Sequence, residues 1–132
     1  MDSEFFSSAG IEDSILFDIA GSAAEGLIYT SSAFSEDSSD KKIITFFDAY
    51  KAQYGSAPTA YAANAYDTIM LIAEAFKKQN SIDADKIKQF LYQVENYHGV
   101  SGKISFDSYG EVTKPVILKQ VKGHDFVVIG ER

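Results

Sequence analysis

Apolar positions along the chain follow two spacings, one helical and one alternating. In the middle, Ile43, Phe46, Phe47, Tyr50 and Tyr54 recur at intervals of three and four, one continuous apolar stripe. Ser39 or Asp40 can cap the start of that helix and Gly55 its end. Pro58 blocks continuation, and Thr59 can cap a second helix over residues 60–78. Its buried side is predicted as Ala62, Ala65, Ile69, Ile72, Ala73 and Phe76, small enough in part to pack closely on a sheet. Asp83 can cap a third helix with the stripe Ile87, Phe90, Leu91 and Val94, which Gly99 stops.

The flanks carry the strands. Residues 3–6 read as a short strand, Ser7-Ser8-Ala9-Gly10 as a loop of small residues, and residues 12–20 as a helix with Ile15, Leu16 and Ile19 on one side, ended by Gly21. Residues 24–30 read as a second strand, and the polar, Ser-rich stretch 31–39 as a long loop or hinge. At the other end Lys103–Phe106 alternates at period two, and Asp107–Gly110 is a turn. Pro115–Val121 and Asp125–Ile129 form a hairpin through Lys122-Gly123-His124. A β-α-β unit, three helices and three strands predict an α/β fold, a layered sheet flanked by helices of the Rossmann or flavodoxin-like kind.

Composition narrows the possible chemistry. The 132 residues suffice for one domain with a core, and 45% hydrophobic with 23% charged residues marks a globular chain. A net charge of −7 argues against nucleic acid or an anionic membrane as the main partner, because both require basic patches. The chain has no cysteine, so disulfides, thiolate catalysis and cysteine zinc sites are excluded. The acidic start Met1-Asp2-Ser3-Glu4 is not a secretion signal, so the chain is expected to be either cytosolic or a segment of a longer protein.

No catalytic, metal or cofactor site stands out. His98 and His124 each adjoin a glycine and read as solvated loop residues. No Gly-x-Ser-x-Gly elbow or phosphate-binding glycine loop occurs, and Asp107–Glu111 lacks the alternating ligands of a calcium loop. The acidic pairs Glu12-Asp13 and Glu36-Asp37 suit helix dipoles and solubility. Tyr61 is the aromatic set apart: it lies in the first turn of a helix, off the main stripe, at an end that faces the ligand crevice in α/β folds.

Ala24–Thr30, Phe46–Gly55, Pro58–Asp67, Gly99–Asp107, Gly110–Val112 and Lys114–Val116 follow one another in an order and spacing that resembles the type I periplasmic binding proteins serving ABC importers of leucine, isoleucine and valine. The resemblance spans nearly the whole chain but only the last third or so of a family member. It implies a receptor of two α/β lobes, periplasmic or extracellular, that closes on a small solute and signals to the importer's membrane subunits, with no catalysis and no cofactor. By the same resemblance residues 1–30 and 114–132 correspond to the C-terminal lobe, residues 36–110 to the N-terminal lobe and residues 31–39 to a hinge. Tyr61 matches a position where an aromatic packs on the solute, and Ser7, Ser8 and Ala9 match a solute-contacting loop. Ala9 stands where an acidic residue often meets the solute's ammonium. Ser7 and Ser8 therefore suit a neutral or anionic solute, a small acid or amide, as well as a branched-chain amino acid. Lobes this incomplete are expected to be completed by oligomerisation, as a homodimer or swapped oligomer. The alternative is a stand-alone flavodoxin-like regulatory or sensory domain.

Overall fold

A computed structural model describes residues 4–36 and 38–131. The elements are β1 (Phe6–Ser8), α1 (Ile15–Ala20), β2 (Ile28–Ser32), α2 (Lys41–Tyr54), α3 (Ala60–Gln79), α4 (Ala84–Leu91), β3 (Tyr97–Gly99), β4 (Gly102–Phe106), β5 (Val112–Thr113), β6 (Val116–Lys122) and β7 (Asp125–Glu131). Single 3₁₀ turns at Ala9–Ile11 and Gly21–Ala24 flank α1. The chain divides into two compact units. One joins the residues up to Ala33 with those from Pro115 on, and the other is Phe34–Lys114.

The first unit is built on a sheet of order β1-β2-β6-β7. β1 runs parallel to β2, and the other pairs are antiparallel. Alternation along β2 and β6 turns Tyr29, Ser31, Ile117, Lys119 and Val121 to one face, where all five are buried. Phe126 meets the Tyr29 ring edge-on at 5.7 Å, and Phe17 of α1 packs on Phe126 at 4.9 Å. The hairpin between β6 and β7 closes through Gly123 and His124, both at positive φ, the two-residue turn whose twist matches its strands.

Several sequence expectations shift here. The strand expected at residues 3–6 begins outside the described residues and is found at Phe6–Ser8, so Ser7 and Ser8 are strand rather than loop. The helix expected from residue 12 starts at Ile15, and Ile15 and Ile19 are exposed; Phe17 makes the inward contact instead. The strand expected at 24–30 is found at Ile28–Ser32, because Gly21–Ala24 is still turning.

The second unit packs α2, α3 and α4 with the three-stranded sheet β3-β4-β5. Helix starts follow the predicted chemistry: Asp40, Thr59 and Asp83 cap α2, α3 and α4. One apolar cluster gathers Phe34, Ile43, Ala63 and Val100, and a second gathers Leu71, Val94 and Ile104. Each large side chain so buried contributes about 1.5–3 kcal/mol. Two expectations fail. α4 ends at Leu91 rather than running on to Gly99, and residues 97–99 form β3. His98 is therefore a strand residue, its Nε2 2.6 Å from the Asp40 carboxylate that caps α2. Backbone donation from Lys42, then the His98 ring, hold that carboxylate below its usual range.

The buried side of α3 also differs from the predicted one. The inward residues are Ala63, Asp67, Leu71 and Ala75, four apart along the helix. Ala65, Ile69, Ala73 and Phe76 face outward, with Ile69 65% exposed. A carboxylate on the buried line hid it from a hydrophobic reading. Asp67 is 1% exposed and accepts hydrogen bonds from Val100 N (2.8 Å), Ser101 N (2.7 Å) and the Ser101 hydroxyl. The Lys114 ammonium extends the network, donating to Ser101 Oγ and to Asn64 Oδ1. Burial pushes Lys114 below the ordinary lysine range, and the charge of Asp67 offsets part of that push.

Two variants probe these cores. A Cβ at position 99 would lie 2.4 Å from Asp67 Oδ2, so Gly99→Ala is expected to lose about 2–3 kcal/mol in urea unfolding. The Tyr29 hydroxyl is buried and makes no well-formed hydrogen bond, its nearest acceptor being the Glu12 carboxylate, which acts on it by charge and as a weak hydrogen-bond partner. Burial, then the charge of Glu12, raises its pKa above the ordinary 10.0, so the folded chain keeps this proton after the unfolded chain has lost it. Stability from this group is full below pH 10.0 and lost as pH rises beyond it. Tyr29→Phe is expected to gain about 1 kcal/mol at neutral pH and to flatten the alkaline loss, measured by urea unfolding from neutral pH into the alkaline range.

Candidate functional site

Each unit carries part of the predicted site. In the second unit, Tyr61 lies in the first turn of α3 and is 56% exposed. Thr59 fixes that turn by accepting from Ala62 N at 3.3 Å. Asn64 and Asp67, one and two turns further on, bind α3 to Lys114 and to the turn at 99–101. The aromatic ring therefore stands on a helix end anchored by buried polar contacts.

In the first unit, parallel pairing brings the carboxyl ends of β1 and β2 together, with Ser7 beside Tyr29 and Ser8 beside Thr30. Neighbouring strand residues point to opposite faces, so the two serines cannot serve the same face. Both are exposed. Ala9 opens the 3₁₀ turn, and its carbonyl accepts from Glu12 N at 3.0 Å.

Below that turn lies a group the sequence reading passed over. Glu12 is not a solvated dipole partner. Its carboxylate accepts from the Ser31 hydroxyl at 2.7 Å and pairs with the Lys119 ammonium. The side chains are 19% and 9% exposed, so the pair sits largely out of water. In β6 only alternation betrays it: Lys119 falls between Ile117 and Val121 on the buried face. Asp13, the other half of the acidic pair, is exposed and accepts from Ile15 N at 2.9 Å, at the start of α1.

This geometry suits non-covalent recognition: an exposed ring on a fixed helix end, and hydroxyls and a turn at the carboxyl ends of strands, where α/β sheets bind their ligands. Among the described residues no group of His, Asp and Glu is placed to hold a metal, and no helix is long and apolar enough to cross a membrane.

Comparison with known proteins agrees with the fold. The sequence pattern of the family described as periplasmic binding protein matches residues 2–125. A leucine-, isoleucine-, valine-, threonine- and alanine-binding protein of Pseudomonas aeruginosa is 28% identical over 113 residues, 85% of this chain and 29% of the relative. The crystal structure of a leucine-binding protein of Thermotoga maritima superposes with a TM-score of 0.87 at 28% identity, over 99% of this chain and 37% of that one. A branched-chain amino acid transporter substrate-binding protein of Streptococcus pneumoniae, solved with isoleucine, gives a TM-score of 0.79 at 25% identity, over 98% of this chain and 38% of its own. The chain thus spans well under half the length of these relatives. Matched along most of its length by one sequence pattern, and along nearly all of it by the fold of solved substrate-binding proteins, the chain belongs to the periplasmic binding protein family.

Proposed function

We propose that this chain is the C-terminal part of an extracytoplasmic solute-binding receptor that delivers a small aliphatic solute to the membrane subunits of an ABC importer. The solute is a branched-chain amino acid or a related small acid or amide. The observation that carries this reading is the continuity of fold: 99% of the chain follows a leucine-binding protein. The mechanism is non-covalent, with no enzymatic step. In the second unit Tyr61 offers its ring to the aliphatic part of a solute; in the first, Ser7 and Ser8, on opposite faces of β1, and the backbone at Ala9 offer polar contacts. The division of the chain at Ala33/Phe34 and at Lys114/Pro115 supports the assignment of residues 1–30 and 114–132 to the C-terminal lobe, 36–110 to the N-terminal lobe and 31–39 to a hinge, except that Ser31 and Ser32 belong to β2 and Lys114 to the second unit.

The receptor reading is tested by titrating the isotopically labelled chain with leucine, isoleucine, valine, 4-methylpentanoate and its amide. At least one should shift the backbone signals of Tyr61 and of Ser7–Ala9 saturably. Affinity is expected only at about the millimolar level, because the chain spans a fraction of its relatives, and Tyr61→Ala should weaken binding about tenfold. Silence at both places toward every compound, or unchanged binding by Tyr61→Ala, overturns the reading. Calorimetry showing micromolar binding of an amino acid would overturn the expectation of weak binding.

The outward side of α3, with Ile69, Met70, Ala73 and Phe76, supports a second element of the proposal: the chain by itself forms a homodimer or swapped oligomer that covers this side. Light scattering should return a multiple of 14.5 kDa, and Ile69→Glu should shift it to the monomer. A clean wild-type monomer at high concentration would refute it.

A further inference from the structure

If the chain is part of a solute receptor, as proposed above, the pair Glu12–Lys119 bears on which solute the first unit accepts; the inference rests on that reading. A buried ammonium requires a carboxylate close by. The loop that comes after β1 carries two, Glu12 and Asp13. Asp13 is exposed and already accepts from the backbone at the start of α1. Glu12 is tied by its backbone N–H to the Ala9 carbonyl, the residue predicted to face the solute, but its carboxylate is turned down onto the sheet. There Lys119 and Ser31 occupy it. Lys119 reaches it from mid-strand, turned to that face by the regular alternation of β6 between Ile117 and Val121.

We infer that Lys119 holds the place a solute ammonium would otherwise take, so that the first unit selects a small aliphatic acid or amide without a free α-ammonium. The charge requirement of Glu12 is met from within the chain. A solute ammonium brought to Ser7–Ala9 would lose its hydration and find the Glu12 carboxylate already paired. A solute with a carboxylate or amide in that position meets hydroxyls and the backbone of the turn.

The test uses the labelled chain at pH 7 with three probes of one carbon skeleton type: 4-methylpentanoate, L-leucine and 3-methylbutylammonium. In the wild type, 4-methylpentanoate should shift Ser7–Ala9 at least about tenfold more tightly than either ammonium compound. Lys119→Met frees the carboxylate, so 3-methylbutylammonium should gain at least about tenfold at Ala9–Glu12, and adding Glu12→Gln should abolish the gain. Lys119→Arg should behave as the wild type. Circular dichroism establishes that each variant is folded. If Lys119→Met does not fold, the single variant Glu12→Gln supplies the reciprocal reading: its freed ammonium should raise the affinity for 4-methylpentanoate at the same amides. Wild-type preference for leucine, or a folded Lys119→Met or Glu12→Gln that gains nothing, overturns the inference. Failure of the receptor reading looks different: no probe moves Tyr61 or Ser7–Ala9 in the wild type, whereas failure of the inference leaves binding in place without the exchange of preference at Ala9–Glu12.

Discussion

A carboxylate withdrawn from water must find its hydrogen-bond donors inside the protein, and Asp67 finds them in a turn 33 residues further along the chain. Two backbone N–H groups and a hydroxyl meet its two oxygens, and position 99 must be glycine to let the turn come so close. Helix α3 is thereby fixed in rotation, with Ala63, Leu71 and Ala75 turned inward on the same line. The two apolar clusters of that unit depend on this choice, since Ala63 joins one and Leu71 the other. Hydrophobic burial supplies most of the stabilisation, but it is indifferent to small rotations. The hydrogen bonds of Asp67 are directional and select one.

The first unit uses a similar device with a different result. Its sheet face is apolar except where Ser31 and Lys119 interrupt it, and Glu12 answers both from the turn after β1. The turn is thus held to the sheet by a desolvated ion pair, and the Ala9 carbonyl is held to the turn by Glu12 N. In each unit a charged group on a buried face secures a segment that the receptor reading assigns to the solute. Such pairs are weak sources of net stability, because desolvation offsets the attraction; what they confer is a definite arrangement.

Much of the architecture was legible in the sequence, and the reasons are local. Asp40, Thr59 and Asp83 cap the helices they were expected to cap, because a cap is decided within three residues. Of the stripe Ile43, Phe46, Phe47, Tyr50 and Tyr54, the first four are buried or half-buried as their spacing required, whereas Tyr54 at its end is exposed. The Gly123-His124 hairpin arises from two adjoining alternating runs. The short elements were misread. β3 and β5 have too few residues to show a period, and α1 presents Phe17 to a ring on β7 that no local pattern reveals. Of the candidate site, Tyr61 was legible as a residue off the apolar stripe at a helix start, whereas Glu12 and Lys119, 107 residues apart, had no local signal joining them.

The sequence by itself determined most of the order of elements, the caps of α2, α3 and α4, the absence of thiol chemistry and the kinship with solute-binding receptors, all of which reside in neighbouring residues or in motif order. Only the tertiary structure decided which side of α3 is buried, that Ser7 and Ser8 belong to a strand, and that Glu12 is already paired. Ser7 and Ser8 stay exposed and are strand only through their pairing with β2, whereas for α3 and for Glu12 the physical reason is the same. A polar or charged residue declares itself surface-bound in a one-dimensional reading, and only its partners in space reveal that it has been taken inside.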